Sequence, residues 1–378
     1  MQARFLTSIE AIDPASWDAL VRDNNPFLKH AFHRALERHG CVAEHYGWRP
    51  NHLVLSHNER IVGVSPLYVK RNSYGEFVFD YSWADAYQQS GLAYYPKLIS
   101  ALPYTPATGE RLLIDSTTDR ALAVRTMVEA TLEWVRENRC SSMHWLFTTE
   151  QESEELESLG MMQRLGVQFH WENQGYGDFA AFLDRLSAKR RKNIRRERRK
   201  VAEQGFQFRL LSGSEATPQQ WRLFDEYYRK TFEERASLPT LNLGFFQEIG
   251  ESLGDQVLLV LAYRGRSCLA GALLYRSDHV LYGRHWGGVG AFDSLHFETC
   301  YYQGIDYAIS QGIERFEPGA QGEHKIWRGF LPTLTRSNHW IADRRFRPAI
   351  EDFLRRETLG VEGYMKILNS SSPYRSGV

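Results

Sequence analysis

The order in which strand-like and helix-like segments recur is the strongest constraint on what this chain can fold into. In the first half, apolar runs at 52–55 and 61–69 flank the turn residues Asn58, Glu59 and Arg60 and read as a hairpin. A third strand is expected at 76–81, then an irregular stretch rich in Trp, Tyr, Pro and Gly, an amphipathic helix over about 118–137 and a strand at 143–148. In the second half, strands at 257–263 and 270–275 flank a turn at Gly265, a strand at 280–286 precedes the loop GGVGAF, and a helix over about 294–311 leads to a strand at 315–317. Hairpin, third strand, loop, helix, strand thus occurs twice. A chain of 378 residues suits two domains of about 100–200 residues each. The expectation is an α+β protein of two similar domains, 1–175 and 176–378, joined near Gly175-Tyr176-Gly177.

Charge is balanced in sum but not in place. The 46 Lys and Arg against 46 Asp and Glu exclude a chain whose whole surface is a polycation. Yet KRRKNIRRERRK (189–200) holds nine basic residues and one acid, a net +8, which leaves −8 on everything else. Leu183, Leu186, Ile194 and Val201 fall on one stripe at 3.6 residues per turn, so a helix over about 187–203, stopped by Gly205, is predicted. Its cations have three readings. Arg191, Lys192, Arg195 and Arg196 could grip phosphates of RNA; the helix could make a peripheral contact with anionic lipid; or it could be a solvated face that pairs with the acidic remainder. No aromatic residue interrupts the cations, so base stacking is not indicated.

The apolar run VLLVLAY (257–263) is far short of the roughly 18 residues of a membrane span, so no transmembrane segment is expected. The opening MQARFLTSIEAIDPASW has no basic region ahead of an apolar core, which predicts no secretory leader. Cys41, Cys140, Cys268 and Cys300 match no metal or redox spacing and predict reduced thiols in a cytoplasmic protein without a metal site.

Chemistry concentrates in FEPGAQGEHK (316–325). A proline and two glycines after a strand set an imidazole, carboxylates and an ammonium on one adaptable loop. His324 is the first candidate to carry a proton, because its ordinary pKa lies near neutrality. Glu323 or Glu317 could orient it or take the proton instead, and Lys325 could neutralise an anionic donor or an oxyanion. Gln321 is a further substrate contact, although the same residues would also make a solvated turn. Arg284, His285, Gly287 and Gly288 on the preceding strand could approach a phosphate or a carbonyl oxygen closely. Glu298 falls on the apolar face of the next helix with Tyr302, Ile305 and Ile309. A carboxylate there would be buried and paired, or else its pKa would rise, and it is a catalytic candidate; the competing reading is a first-turn acid that reaches out to water.

In the first half, Asp80, Trp83, Asp85 and Tyr87 combine two acids with aromatic rings, a composition suited to stacking on a ligand while the acids hold an amine. The competing reading is aromatic packing. QQSGLA (88–93) formally fits the phosphate loop of coenzyme A-dependent acetyltransferases. The chain contains no G-x-x-x-x-G-K-[ST], H-E-x-x-H or G-x-S-x-G.

Taken together, PFLKHAFHRALE (26–37), YGEFVFDYSWADAY (74–87), YYPKLISALPYTPATGERLL (94–113), RRKNIRRERRK (190–200), LHFETCYYQGIDYAISQGIERFEPGAQGEHK (295–325) and RGFLP (328–332) resemble the GNAT-like N-acyltransferases. More closely, they are similar to the bacterial family labelled as peptidoglycan-biosynthesis or N-acyltransferase proteins, related to the Fem-type aminoacyl transferases. The resemblance implies tandem GNAT-type domains, each a mixed central sheet flanked by helices. It also implies transfer of an acyl or aminoacyl group from an activated donor to a small-molecule or peptide amine. The expected donor is acyl-CoA, in preference to aminoacyl-tRNA, held by Arg284, Gly287, Gly288 and Lys325, with His324, Glu323 and Glu298 as catalytic candidates. The alternative is a non-catalytic module on the same fold that binds RNA or a membrane surface.

Overall fold

In the computed structural model, which describes residues 1–320 and 322–375, the chain forms two units, Met1–Val167 with Leu334–Tyr364 and Gln168–Thr333 with Met365–Val378. The division is not a single cut at residue 175. The strand Leu331–Ile341 returns late in the chain and pairs antiparallel with Ser142–Thr148, Arg336 opposite Thr148 and Ile341 opposite Ser142. Those ladder bonds tie the returning segment to the first unit.

In the first unit, Pro66 decides how the hairpin continues. His52–His57 and Arg60–Ser65 pair across a turn in which Asn58 and Glu59 both take positive φ, the conformation that short hairpin turns require. The expected strand over 61–69 is broken at Pro66, which has no N–H to give a ladder. Arg60–Ser65 belongs to a four-stranded sheet with Gln2–Leu6, His52–His57 and Leu113–Ile114, whereas Leu67–Lys70 joins another through Lys97–Ser100. The helix Arg120–Glu137 starts at Asp119, whose carboxylate accepts from Leu122 N. It buries Ala123, Val124, Met127, Val128, Leu132 and Val135 in the core between Leu53, Leu98 and Trp145. It leads into Ser142–Thr148, which lies parallel to Lys97–Ser100.

The strand expected at 76–81 does not form. Tyr81–Gln89 is a helix, and the residues before it are irregular. Their apolar alternation is overridden because Glu76 and Asp80 are drawn inward to Lys97 Nζ, at 2.7 and 2.5 Å, leaving Phe77 and Phe79 exposed.

The second unit follows the expected order closely. Phe206–Ser212, Val257–Arg264, Ser267–Arg276 and Val280–Gly288 form an antiparallel run, and Arg315–Glu317 adds in parallel beside Val280–Gly288. The helix Pro218–Glu233, opened by a capping box of Thr217 and Gln220, packs on these strands. Both units therefore contain antiparallel strands, a helix and, after the helix, a strand parallel to an earlier one, Lys97–Ser100 in the first unit and Val280–Gly288 in the second. This is the α+β arrangement expected of tandem acyltransferase-type domains.

Candidate functional site

In the second unit the parallel pairing stops early. Val280, Leu281 and Tyr282 lie opposite Arg315, Phe316 and Glu317, and then the chain turns away at Pro318 and Gly319. Against Ser267–Arg276 the register slips at the same level: Leu274 is opposite Gly283 and Leu273 opposite His285. Arg284 is the extra residue of a β-bulge, whose backbone leaves the ladder and whose side chain is re-aimed. A pocket of about 110 Å³ opens there, lined by Arg284, His285, Trp286, His296, Cys300 and Tyr301 together with strand residues 272–274 and Pro318.

The helix that follows supplies the opposite wall through an irregularity. Glu298–Tyr302 is a π turn between Leu295–Phe297 and Gln303–Ser310, a feature that accumulates at functional sites. It sends Cys300 and Tyr301 to the pocket, and Tyr302 donates its hydroxyl hydrogen bond to Glu197 of the basic helix. Glu298 is buried and paired, accepting from Arg198 Nε at 3.2 Å and from Gln303 Nε2 at 2.8 Å. It lines a separate hollow with Arg198, Phe206 and Phe208. So engaged, Glu298 anchors the basic helix, and it is not among the described residues that line the pocket beside Arg284.

The loop after Glu317 closes into a 3-10 turn, Glu323–Arg328. Gly322 has φ +116°, and a Cβ there would come within 2.4 Å of the His324 ring, so the glycine admits the imidazole. Half-buried His324 meets the Tyr301 hydroxyl through Nε2 at 3.1 Å. Burial, then Arg328 and Lys325, hold its pKa below the ordinary value, so it is neutral and able to accept a proton at neutral pH. Lys325 is buried and donates to Gly319 O at 2.7 Å. Burial and the charge of Arg284 bring its amine down to about 7. Arg284 is itself lowered to about 10 by burial, against the favourable fields of Tyr275 and Glu317. Glu317 is buried and Glu323 exposed. Gln321 lies outside the described residues.

Two assignments made from sequence are overturned by packing. Gly287 and Gly288 do not cradle a ligand: a Cβ on Gly287 would lie 2.2 Å from Tyr227 O and one on Gly288 2.9 Å from Ala270 Cβ. Their smallness admits the helix Pro218–Glu233 and the neighbouring strand. QQSGLA lies at the C-terminal end of the helix Tyr81–Gln89, with Gly91 at φ +70°. A phosphate loop needs the N–H groups of a helix start, and here carbonyls are presented.

In the first unit, Trp83 and Tyr87 are core, packed with Ile341, Ile350 and Leu354, and only Asp85 is exposed. Asp80 does hold an amine, but it is the chain's own Lys97; it also accepts from Ser73 Oγ at 2.5 Å and Tyr94 OH at 2.6 Å. Burial works to raise the Asp80 carboxyl, but Lys97 and His144 outweigh it and hold it well below the carboxylate range. The aromatic groove expected from 80–87 is thus replaced by a hydrophobic cluster over an internal ion network.

The basic helix, Ala188–Glu203, is as predicted, with Ile194 and Val201 buried. Its cations divide. Arg191 and Arg195 pair with Asp184, Arg198 with Glu298 and Asp306, and Lys200 with Asp293. Lys192, Arg195 and Arg196 are exposed, and Arg190 lies 5.0 Å from the ring of exposed Trp327. Sequence reasoning passed over His296, Cys300 and Tyr301, which a search for helix interruptions between Glu298 and Tyr302 could not find, and over Arg328. It also passed over Lys70 and Lys97, buried and directly opposite in register. Among the described residues, no three or more His, Cys, Asp and Glu side chains converge on a metal-sized site, and no helix is long and apolar enough to cross a membrane.

Comparison with known proteins gives the fold and the family. Among solved structures, FemX is similar at TM-score 0.55 and 12% identity, over 93% of this chain and all of that one. The C-terminal domain of a putative lysylphosphatidylglycerol synthetase from Agrobacterium fabrum is similar at 0.55 and 9%, over 93% of this chain and 97% of that one. L-PGS from Bacillus licheniformis is similar at 0.51 and 10%, over 91% and 96%. At these identities the likeness is one of fold. No curated protein matches the sequence. Residues 8–376 match the family described as FemAB-like, peptidoglycan biosynthesis/recognition. The resemblance drawn from the sequence motifs therefore holds over nearly the whole chain, which belongs to the FemAB-like family.

Proposed function

We propose that the chain is an N-acyltransferase that moves an acyl group from an activated donor, a coenzyme A thioester in preference to an aminoacyl-tRNA ester, to an amine of a small molecule or peptide. The observation that carries this reading is the meeting, within one unit, of the bulge at Arg284 and the pocket beside it with the turn bearing His324 and Lys325. The family's description supports a peptide amine of a cell-wall precursor as acceptor. A neutral amine attacks the acyl carbonyl carbon, forming the C–N bond. The carbonyl oxygen becomes an oxyanion, stabilised by the off-ladder backbone at Arg284 and by the positive charge of Arg284 and Lys325. His324 takes the proton released by the amine. Collapse breaks the C–S bond, and the thiolate leaves into the same positive field. Holding both reactants in place can supply about 7–11 kcal/mol of the barrier reduction.

The test is release of free thiol from acetyl-CoA in the presence of a lysine-containing peptide, with the amide identified by mass. Wild type should form it, and His324→Ala should lower kcat by about 10²–10⁴. Full turnover in His324→Ala and Lys325→Met would remove the assigned roles. Transfer from an aminoacyl-tRNA alone would select the ester donor.

The exposed cations Lys192, Arg195 and Arg196, with Trp327 beside Arg190, support contact of this helix with phosphate, of the donor or of an RNA. Binding of a 20-nucleotide RNA that falls steeply with salt, without any acyl transfer, would favour a binding module instead.

A further inference from the structure

Burial depresses the bases around the pocket, and positive neighbours add to the effect. His285 is brought to about 3 by burial and then by Arg284. His296 is brought to about 4 by burial, then by His324, Arg328, Arg235 and Lys325. Lys325 feels Arg284, and His324 feels Arg328 and Lys325. Geometry gives the same picture. Arg284 lines the pocket, with no Asp or Glu among the described lining residues. Arg328 donates to His324 O at 2.9 Å. Glu317 offsets part of the Arg284 charge from the adjacent strand but does not line the space. The two pocket histidines add no charge at neutral pH, so the fixed charge a ligand meets is positive.

We infer that the pocket beside Arg284 selects an acyl group that is uncharged or carries a carboxylate, and rejects one that carries an ammonium. This rests on the acyltransfer reading above and deepens it. An aminoacyl ester would bring a second positive charge beside Arg284 with no lining carboxylate to receive it, whereas a carboxylate on the acyl chain would find a guanidinium. The same field favours the phosphates of coenzyme A and the oxyanion, so the discrimination falls on the acyl tail alone.

Three thioesters of matched length separate the cases: butyryl-CoA, succinyl-CoA and β-alanyl-CoA, ending in methyl, carboxylate and ammonium. Binding to the intact chain is measured by calorimetry at pH 7.5. Succinyl-CoA should bind at least as tightly as butyryl-CoA, and β-alanyl-CoA at least tenfold more weakly, with the difference between the charged pair shrinking as salt rises. Arg284→Gln should narrow that difference, and Arg284→Lys, which keeps the charge, should retain it. Should Arg284→Gln not fold, the salt series on the wild type still decides. Binding of β-alanyl-CoA equal to butyryl-CoA would overturn the charge selection while leaving a thioester enzyme in place. Binding of none of the three, nor of acetyl-CoA, would overturn the thioester-donor reading and this inference with it.

Discussion

Glu197, the one acid within KRRKNIRRERRK, accepts from Arg328 Nη2 at 2.8 Å and Nε at 3.2 Å, and so joins the basic helix to the turn that holds His324 and Lys325. Arg328 is fixed on its other sides as well. Its guanidinium lies 3.4 Å from the Phe297 ring centroid and donates to His324 O. The Glu197 and Arg328 side chains are only 17% and 6% exposed, so the pair is largely withdrawn from water. A segment that would otherwise be a purely cationic face thus has one residue turned inward, and that residue braces the proton-carrying loop.

Glu197→Ala should therefore cost toward the lower end of about 3–5 kcal/mol, because it leaves Arg328 buried without its carboxylate. Urea unfolding measures the loss. Combining it with Arg328→Met should recover part of the loss, giving a coupling energy of about 0.5–3 kcal/mol. Additive losses would show that the two side chains do not act on each other.

The depressed amine of Lys325 makes stability depend on pH with a definite sign. Its pKa is near 10.5 unfolded and about 7 folded, so between these values the unfolded chain binds the extra proton. Stability from this group is fully present above about 10.5, is lost progressively as pH falls toward 7, and is constant below. Lys325→Met should flatten the rise in unfolding free energy between pH 7 and 9.5 relative to wild type, by about 1 kcal/mol or more. Parallel pH curves for the two proteins would refute the shift.

Lys97 neutralises Glu76 and Asp80 in a site where all three side chains are at most 3% exposed. Removing it in Lys97→Met strands two carboxylates, and a loss of about 3–5 kcal/mol is expected. Glu76, raised by burial to about 7 despite Lys97, should then titrate higher still. Carbon-detected NMR of the Glu76 carboxyl in the variant checks the direction, and a fall in its pKa would contradict the network as described.

Gly287→Ala separates packing from ligand contact. The added Cβ would meet Tyr227 O at 2.2 Å, so overpacking should cost about 1–3 kcal/mol, read as a lowered melting temperature. A variant of unchanged melting temperature but weakened thioester binding would restore the glycine to the donor site.

Much of the fold is legible because periodicity and turn residues act locally. The helix Arg120–Glu137, the hairpin strands of the second unit, Arg315–Glu317 and the basic helix all lie where apolar spacing puts them. The failures share a cause. The segment 76–81 has the alternation of a strand, but pairing of two of its acids with a lysine about twenty residues later outweighs propensity. Glycines 287 and 288 look alike from sequence whether they admit a phosphate or the backbone of a helix sixty residues earlier. In the candidate site, the sequence singles out His324, Lys325 and Arg284 by residue type, while His296 comes to the pocket beside Arg284 just ahead of a π turn, and Cys300 and Tyr301 within it, which no composition announces.

By itself, then, the sequence determined the α+β class, the doubled order of elements, the basic helix and the family, since each depends on local spacing or on motifs read in one dimension. Tertiary structure alone decided the strand fork and bulge that open the pocket, the inward turn of Glu197 and the partners of each buried charge. Those depend on which distant groups share a low-dielectric interior, where an ion is tolerated only beside its counter-charge.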